Sequence, residues 1–278
     1  MAVKTRALRP FGLELTGVSG HELVDRAAAD QVQAALDQHG VLVYRGLHVA
    51  DDDLVALSHL LGEVVTAKTG EHAHPEIATI TLDPARTNAV LAAYRQGNFL
   101  WHIDGATDAL PQKATLLTAI EVEASDGGDT EFANTYLSYE ALPAAEKERY
   151  ADLQVEHSFA AAQAKVRPDA TEAERAGWDR LAPRVHPLVW TRRNGRRSLL
   201  LGATTARVIG LSDEEGSALL THLLDFATQP QFTLRHRWEK GDLVLFDNTG
   251  MLHRAMPFEP TSPRLMHRTT LVGEEVVA

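Results

Sequence analysis

The sequence contains no cysteine in its 278 residues. This absence excludes disulfide bonds, thiolate nucleophiles and zinc sites built from thiolates. A metal ion in this protein must therefore be held by histidine and carboxylate side chains. Such ligands favour iron, manganese or zinc in an enzyme over a structural zinc ion. The thirteen histidines of the chain supply one half of that ligand set.

Positive charge is also scarce, because 27 Lys and Arg residues face 38 Asp and Glu residues and leave a net charge of −11. No basic cluster relieves this deficit, which argues against nucleic-acid binding. The apolar runs are too short for a membrane span, and the N-terminal sequence MAVKTRALRPFG lacks the apolar core of a signal peptide. We therefore expect a cytoplasmic protein that binds a small molecule and neither nucleic acid nor membrane. The oligomeric state is left open, with a homo-oligomer as one alternative.

The spacing of short apolar segments predicts a protein that is mainly β with added helices. About eight to ten such segments are spread along the chain, and helical periodicity is concentrated near the start and in a polar insertion in the middle. Neither a regular β-α-β alternation nor a G-x-G-x-x-G or P-loop motif occurs. We predict one domain over residues 1–278, in which a double-sheet barrel or jelly roll is flanked by helices.

Two polar segments, residues 66–74 and 83–97, precede the most informative part of the sequence. They lack the apolar periodicity that would hold them against the core. We predict that they are inserted lid segments that close over a site. The alternative is a rigid surface loop whose histidines face water.

A candidate metal-binding pair lies in the sequence NFLWHID, where His102 and Asp104 are two residues apart. On an extended strand both side chains project from the same face. Burying an imidazole beside a carboxylate costs several kcal/mol unless each group is paired or bound. A divalent metal ion would satisfy both groups at once. The alternative is a partly exposed pair on an edge strand, so a third ligand is needed to decide.

A third ligand candidate follows a second apolar strand, in the sequence LVLFDNTGMLH. His253 comes directly after the polar turn of this stretch. At the mouth of a barrel it would join His102 and Asp104 in a set of two histidines and one carboxylate. Such a set occupies one face of an octahedral metal ion and leaves three positions open, as in non-haem Fe(II) oxygenases. The alternative for His253 alone is a hydrogen-bonded histidine of the core or the rim.

Two arginines follow on the last predicted strand. Arg264 stands eleven residues after His253, and Arg268 follows four residues later, so that both share a face of the strand with Met266. Arginine cannot become neutral by losing its proton, so two guanidinium groups on an inner face need anionic partners. Those partners are bound carboxylates or, as the alternative, Asp and Glu side chains.

Together these features resemble the taurine dioxygenase (TauD/TfdA) family of Fe(II)- and 2-oxoglutarate-dependent oxygenases, which includes the 2,4-dichlorophenoxyacetate enzyme. The H-x-D motif, the distant histidine and the arginine eleven residues after it carry the resemblance. Further segments in the family's order and spacing extend it over nearly the whole chain: WHID (101–104), GGDT (127–130), YEAL (139–142), HSF (157–159), HP (186–187), DN (247–248) and RLMHRTTL (264–271).

The resemblance implies a double-stranded β-helix in which His102, Asp104 and His253 hold Fe(II). It also implies that 2-oxoglutarate chelates the iron through its keto-acid end. The distal carboxylate of this cosubstrate would lie against Arg264, whose fork of donors suits a carboxylate, and the hydroxyl of Thr130 would add a further hydrogen bond. O2 is the remaining reactant.

The prime substrate would lie beside the iron. Arg268 matches the arginine that grips the anionic end of the substrate in this family, and Phe159 matches an apolar wall of the pocket. Asp247 or Asn248 would orient His253. Further candidates for substrate contacts, on the segments before and within the motif stretch, are Lys68, His72, His74 and Asn98.

The expected reaction is hydroxylation of a C–H bond in a small organic anion, with release of succinate and CO2. Halogenating relatives carry a small residue in place of the carboxylate ligand, so the presence of Asp104 favours hydroxylation. Two alternatives belong to other classes. One is a zinc hydrolase that uses the same three ligands, and the other is a non-catalytic binding protein on the same barrel.

Overall fold

The computed structural model describes residues 3–66, 70–123 and 127–277. Within these ranges the chain forms fifteen strands and eight α-helices, so the prediction of strands with added helices is confirmed at this level. The strands are β1 (Lys4–Ala7), β2 (Leu13–Thr16), β3 (Val41–Tyr44), β4 (Ala78–Ile80), β5 (Ala114–Glu121), β6 (Thr130–Asn134), β7 (Gln154–His157), β8 (Arg184–Pro187), β9 (Val189–Thr191), β10 (Arg197–Leu199), β11 (Thr205–Val208), β12 (Thr233–His236), β13 (Leu243–Asp247), β14 (Met251–Ala255) and β15 (Leu265–Thr270).

The helices begin and end at residues that suit helix termini. Asp25 caps the first helix by accepting hydrogen bonds from the backbone amides of Ala27 and Ala28, and Gly40 ends it in the left-handed conformation at φ 73°. Ser212 starts the last helix with a capping box. The helices are α1 (Arg26–His39), α2 (Asp51–Leu61), α3 (Ala89–Arg95), α4 (Thr135–Ala141), α5 (Ala144–Tyr150), α6 (Phe159–Val166), α7 (Glu172–Trp178) and α8 (Asp213–Ala227).

The strands form one large sheet and three small ones. The large sheet has seven strands in the order β1-β2-β3-β13-β5-β15-β4, and β12-β6-β14 form a three-stranded sheet. The strands β11-β7-β8 and the hairpin β10-β9 form the remaining sheets. All described pairs are antiparallel except β2 with β3. This arrangement brings the first, middle and last parts of the chain into one sheet.

The seven-stranded sheet has a different core on each face because its side chains alternate. Val41 and Val43 of β3 pack with Phe132 and Met251 of the three-stranded sheet. On the opposite face, the neighbouring side chains of β3 pack against α1 and α2. The two sheets therefore face each other, with helices covering the outside of the larger one.

The structure differs from the sequence-based expectations in several elements. Residues 83–97, expected to be a loose segment, contain α3, which Asn88 caps through the backbone amide of Leu91. The helices α4 and α6 were not expected either. The strands β9 and β10 form an antiparallel hairpin around Asn194 and Gly195, a residue pair that favours tight hairpin turns. Among the described residues, no helix is long and apolar enough to cross a membrane.

Candidate functional site

His102 and His253 are brought together by backbone hydrogen bonds. The amide of His102 donates to the carbonyl of His253 at 3.0 Å, and the amide of His253 donates back at 2.9 Å. His253 belongs to β14, whereas His102 follows a short 3-10 helix and makes only this isolated bridge. The two imidazole rings lie 4.1 Å apart between centroids. Residues 151 positions apart in the sequence are thereby held at one point.

Asp104 completes the group of three donor side chains. Its Oδ1 lies 3.9 Å from Nε2 of His102, and its Oδ2 lies 3.8 Å from Nε2 of His253. These distances are too long for hydrogen bonds. Adjacent ligands of an ion with bonds of about 2.0–2.2 Å lie about 3.0–3.5 Å apart, so small rotations of these side chains would bring the donor atoms to one ion. The spacing therefore suits a shared metal ion better than it suits direct pairing.

The protonation states of the histidines also suit a metal ion. Burial lowers the pKa of His102, and it lowers the pKa of His253 to about 3. Both rings are therefore neutral at pH 7, the form that binds metals. Nδ1 of His102 lies 2.8 Å from the carbonyl of Leu100, which fixes the proton on Nδ1 and leaves the lone pair of Nε2 free. The donor set thus fits a divalent cation.

The carboxylate of Asp104 stays ionised although its side chain is only 12% exposed. Burial would raise the pKa of this carboxyl group, but the guanidinium of Arg268, 3.5 Å away, and the neighbouring imidazoles lower it to about 2. Thr115 donates a hydrogen bond of 3.1 Å to Oδ2. Asn248 in turn donates to the hydroxyl of Thr115 at 2.8 Å. Asn248 therefore orients Asp104 through Thr115, and not His253 as the sequence suggested.

Arg264 and Thr130 line the same cavity as the two histidines. This cavity of about 50 Å³ lies between the seven-stranded and the three-stranded sheets, and it is lined by Ile80, Asn98, His102, Leu117, Thr130, Phe246, His253, Ala255, Arg264 and Arg268. Arg264 is only 3% exposed, and its Nε donates to the carbonyl of Gly128 at 3.0 Å. Burial lowers the pKa of Arg264 to about 10, so the side chain remains a cation at neutral pH.

Gly128 is needed for this placement of Arg264. Its φ is +66°, and a β-carbon at this position would lie 2.8 Å from Cδ of Arg264. The GGDT motif therefore has a physical role: its second glycine lets the backbone approach the arginine, and its threonine begins β6 at the cavity wall.

The two arginines do not share a regular strand as the sequence suggested. Arg264 precedes β15, and the pairing of β15 with β5 shifts register between Leu265 and Met266. Arg268 lies beyond this irregularity, paired with Leu117 and Ala78. The irregularity separates the arginine next to Gly128 from the arginine next to the carboxylate.

The predicted substrate residues fall into two groups. Asn98 lines the cavity with Arg268. Phe159 begins α6 and packs its ring edge-on against Tyr94 of α3, with centroids 5.8 Å apart, but it is not among the residues that line the 50 Å³ cavity. The structure therefore brings Asn98 to the cavity and places Phe159 against α3.

His72 and His74 belong to a separate cluster on the other face of the large sheet. His72 lies 3.2 Å from Asp51, and His267 lies 2.7 Å from the same carboxylate. Because His267 and Arg268 are successive residues of β15, their side chains point to opposite faces. His74 pairs with Asp52 at 3.1 Å. The structure thus does not bring the two histidines to the cavity, and Lys68 lies outside the described residues.

Two residues of the site were not identified from the sequence. Thr115 holds Asp104, and Trp238 donates its indole N–H to the hydroxyl of Thr130 at 2.9 Å. Neither lies in a motif that names its role. For Thr115 the sequence signal is a polar residue at an inward position of the apolar strand β5. For Trp238 it is an aromatic residue at an inward position, two residues after β12.

Comparison with known proteins identifies the family of the chain. The model of the taurine catabolism dioxygenase TauD, TfdA family matches residues 4–270. The alpha-ketoglutarate-dependent 2,4-dichlorophenoxyacetate dioxygenase of Cupriavidus pinatubonensis is 31% identical over 100% of both chains. The alpha-ketoglutarate-dependent sulfate ester dioxygenase of Pseudomonas putida is 32% identical over 95% of this chain and 87% of its own.

Solved structures give the same result. The crystal structure of AAD-2 in complex with Mn(II) and N-oxalylglycine superposes with a TM-score of 0.88 at 28% sequence identity, and it covers 100% of this chain and 99% of its own. A taurine dioxygenase from Burkholderia xenovorans superposes with a TM-score of 0.79 at 28% identity, over 98% of this chain and 90% of its own. The chain belongs to the TauD/TfdA family of dioxygenases.

Proposed function

We propose that this protein is an Fe(II)- and 2-oxoglutarate-dependent dioxygenase that hydroxylates a C–H bond of a small organic anion and releases succinate and CO2. The observation that carries the proposal is a group of three metal-donor side chains whose ligand atoms lie within 4.8 Å of one another, two of which line a cavity together with a buried arginine. The enzyme uses Fe(II), 2-oxoglutarate and O2, as the family does. Bound together in the cavity, these supply the oxidising chemistry that the side chains lack.

The protein holds and orients these groups. We assign His102, Asp104 and His253 to the iron, a set that leaves three positions of an octahedral ion open. We assign Arg264 and Thr130 to the distal carboxylate of 2-oxoglutarate, because a buried cation and a hydroxyl at one end of a narrow cavity suit an anionic group. The apolar walls exclude water from the reacting atoms.

Arg268 supports an anionic prime substrate. Its Nε atom is buried and finds no hydrogen-bond partner among the described residues, while its Nη1 lies 3.5 Å from Asp104. A buried donor without a partner costs about 1–3 kcal/mol, which a bound anion would recover. The relatives named for 2,4-dichlorophenoxyacetate and for sulfate esters also take anionic substrates. We therefore assign Arg268, with Asn98, to the substrate's anionic end.

The arrangement of the sheets supports a proposal for the fold. We propose that the two facing sheets form a double-stranded β-helix, and that residues 1–278 are one domain. In support, the seven-stranded sheet combines strands from both ends of the chain, and its inner face packs on the three-stranded sheet. The cavity opens between these two sheets, where a jelly roll holds its ligands.

The two alternatives explain less of the site. A zinc hydrolase would use the three ligands, but it would leave the buried Arg264 without an anionic partner in the cavity. A non-catalytic binding protein would have no need for neutral histidines beside an ionised carboxylate.

The test is Fe(II)-dependent release of succinate from 2-oxoglutarate, measured with a panel of sulfonates, sulfate esters, aryloxyalkanoates and amino acids. We expect at least one organic anion to stimulate succinate release and to yield a hydroxylated product or its fragments. The Arg264→Leu variant is the matched control, because it should lose turnover at low 2-oxoglutarate. Hydrolysis with Zn(II) but no 2-oxoglutarate consumption with Fe(II) would instead support the hydrolase.

A further inference from the structure

The hydroxyl of Thr130 is held from outside the cavity by Trp238. The side chains of Leu234, His236 and Trp238 alternate toward the inside, so that the indole reaches Thr130 from the end of β12. Nε1 of Trp238 lies 2.9 Å from Oγ1 of Thr130. Trp238 is not among the residues that line the 50 Å³ cavity, but it lines a separate cavity of about 170 Å³ behind Arg264.

The indole itself is fixed by its neighbours. The ring of His236 meets it edge-on, with centroids 4.4 Å apart and an interplanar angle of 90°. Nε2 of His236 lies 3.3 Å from Oδ2 of Asp242, which is fully buried and also paired with Arg45 at 2.7 Å. Rotation of the indole away from Thr130 would have to disturb this buried group.

This contact decides which role the threonine hydroxyl can play. An indole N–H only donates, so Oγ1 of Thr130 must accept on that side. A hydroxyl has a single hydrogen, and no residue in the described ranges accepts that of Thr130. The hydrogen is therefore available to the cavity, where Arg264 also presents donors. Without the indole, the hydroxyl could rotate and present a lone pair instead, which would repel a carboxylate.

We propose that Trp238 is a positioning residue, which makes Thr130 a hydrogen-bond donor to the distal carboxylate of 2-oxoglutarate. This inference rests on the proposed function. Trp238, although it lies outside the cavity, would then contribute to the enzyme's preference for a dicarboxylate cosubstrate. The side chain acts through Thr130 and touches neither the metal nor the prime substrate.

The test is calorimetric binding to the Mn(II)-loaded protein without O2, with Trp238→Phe as the variant because it keeps an aromatic ring and removes the donor. Binding of 2-oxoglutarate should weaken about five- to ten-fold, which is less than the full worth of a hydrogen bond to a charged group because Thr130 remains and loses only its fixed orientation. Binding of 2-oxopentanoate, which lacks the distal carboxylate, should change less than two-fold. In turnover, the KM for 2-oxoglutarate should rise while the KM for the prime substrate stays constant.

A double-mutant cycle guards against a purely structural effect. In a Thr130→Val background, Trp238→Phe should have no further effect on 2-oxoglutarate binding. Equal weakening of both oxo acids, or the same loss in the Thr130→Val background, would overturn the proposal. If wild-type protein does not bind 2-oxoglutarate, or if Arg264→Leu leaves its affinity unchanged, the proposed function fails. If wild-type protein binds 2-oxoglutarate and Arg264→Leu weakens that binding, but Trp238→Phe has no effect, only the role of Trp238 fails.

Discussion

At the scale of single residues, the carboxylate of Asp104 is the group on which the site depends. It accepts from Thr115, faces two neutral imidazoles and pairs with Arg268. The hydrogen bond from Thr115 and the charge of Arg268 both favour the ionised form, which a metal ion requires. Loss of the carboxylate would remove a proposed ligand and also leave the guanidinium of Arg268 without the carboxylate 3.5 Å away.

The metal site gives the first prediction. His102→Ala, Asp104→Ala and His253→Ala should each lower Fe(II) content from about one equivalent per chain to a small fraction, because two remaining ligands do not hold the ion. Metal analysis after anaerobic loading and desalting measures this. Retention of wild-type iron content by any of the three variants would remove that residue from the ligand set.

His72→Ala is the matched control for metal binding, because His72 belongs to the second group of histidines and carboxylate with Asp51 and His267. In that group, Nδ1 of His72 accepts a hydrogen bond from the amide of His74. The ring proton is therefore on Nε2, which faces Asp51 and is not free for a metal. We expect this variant to keep its full iron content.

The two arginines give the second prediction. Arg264→Leu should raise the KM for 2-oxoglutarate by at least ten-fold, because a charge-assisted hydrogen bond is worth about 1.5–3 kcal/mol. Arg268→Leu should instead raise the KM for the prime substrate and leave uncoupled decarboxylation of 2-oxoglutarate measurable. Steady-state kinetics with each reactant varied in turn separates the effects. Equal effects of both variants on the KM for 2-oxoglutarate would contradict the division.

At the scale of elements, α3 links the two segments that are expected to form a lid. Arg95 at its end forms a buried ion pair with Glu71, and it also donates to the carbonyl of Thr81 at 3.1 Å. The helix exposes Val90 and rests Tyr94 on Phe159. The two segments expected to form a lid are therefore joined to each other by one ion pair, and they would move together.

Hydrogen exchange tests the lid as the third prediction. Residues 70–74 and α3 should gain protection when Fe(II), 2-oxoglutarate and a turnover-competent substrate are all bound, because closure shields the reaction from water. The helix α1 on the far face of the large sheet is the internal control and should not change. If neither segment gains protection when the substrate is added, the lid hypothesis should be abandoned.

The sequence was most informative where a residue's role depends on its chemistry and spacing. The grouping of His102, Asp104 and His253 could be predicted because the H-x-D motif and the later histidine match a family pattern. The role of Thr115 depends on strand register, and that of Trp238 depends on a contact with a residue 108 positions away, so neither could be predicted from the sequence. The position of His72 could not be predicted for a similar reason, since its partner Asp51 lies 21 residues earlier in the chain, on α2.

At the scale of the whole molecule, buried histidines make the fold sensitive to acid. His157 is fully buried in β7, where Nδ1 lies 2.9 Å from the hydroxyl of Thr204 and Nε2 has no partner among the described residues. Burial lowers its pKa to about 3, and the nearby charges of His186 and Lys165 add to this effect. In the unfolded chain the same imidazole titrates near 6.5. Between these two pKa values only the unfolded state binds the proton.

Stability should therefore fall as the pH is lowered, which gives the fourth prediction. Between pH 7 and pH 5, His157 should account for a loss of about 2 kcal/mol in the free energy of unfolding of the metal-free protein. His157→Asn keeps a polar group near Thr204 but cannot take up the proton. Urea denaturation at both pH values should show that its loss is smaller than that of wild type by about this amount. An unchanged difference between the two pH values would contradict the assignment.

The shift in register between Leu265 and Met266 has a consequence for anyone who wishes to redirect this enzyme. If the proposed roles of the two arginines hold, it separates the part of the last strand that binds 2-oxoglutarate from the part that binds the prime substrate. Arg264 lies before the shift and is locked against Gly128, so libraries that vary this side would destroy turnover. Arg268 lies after it, beside Ala78 and Leu117. Selections for a new substrate should therefore concentrate their diversity on these three positions.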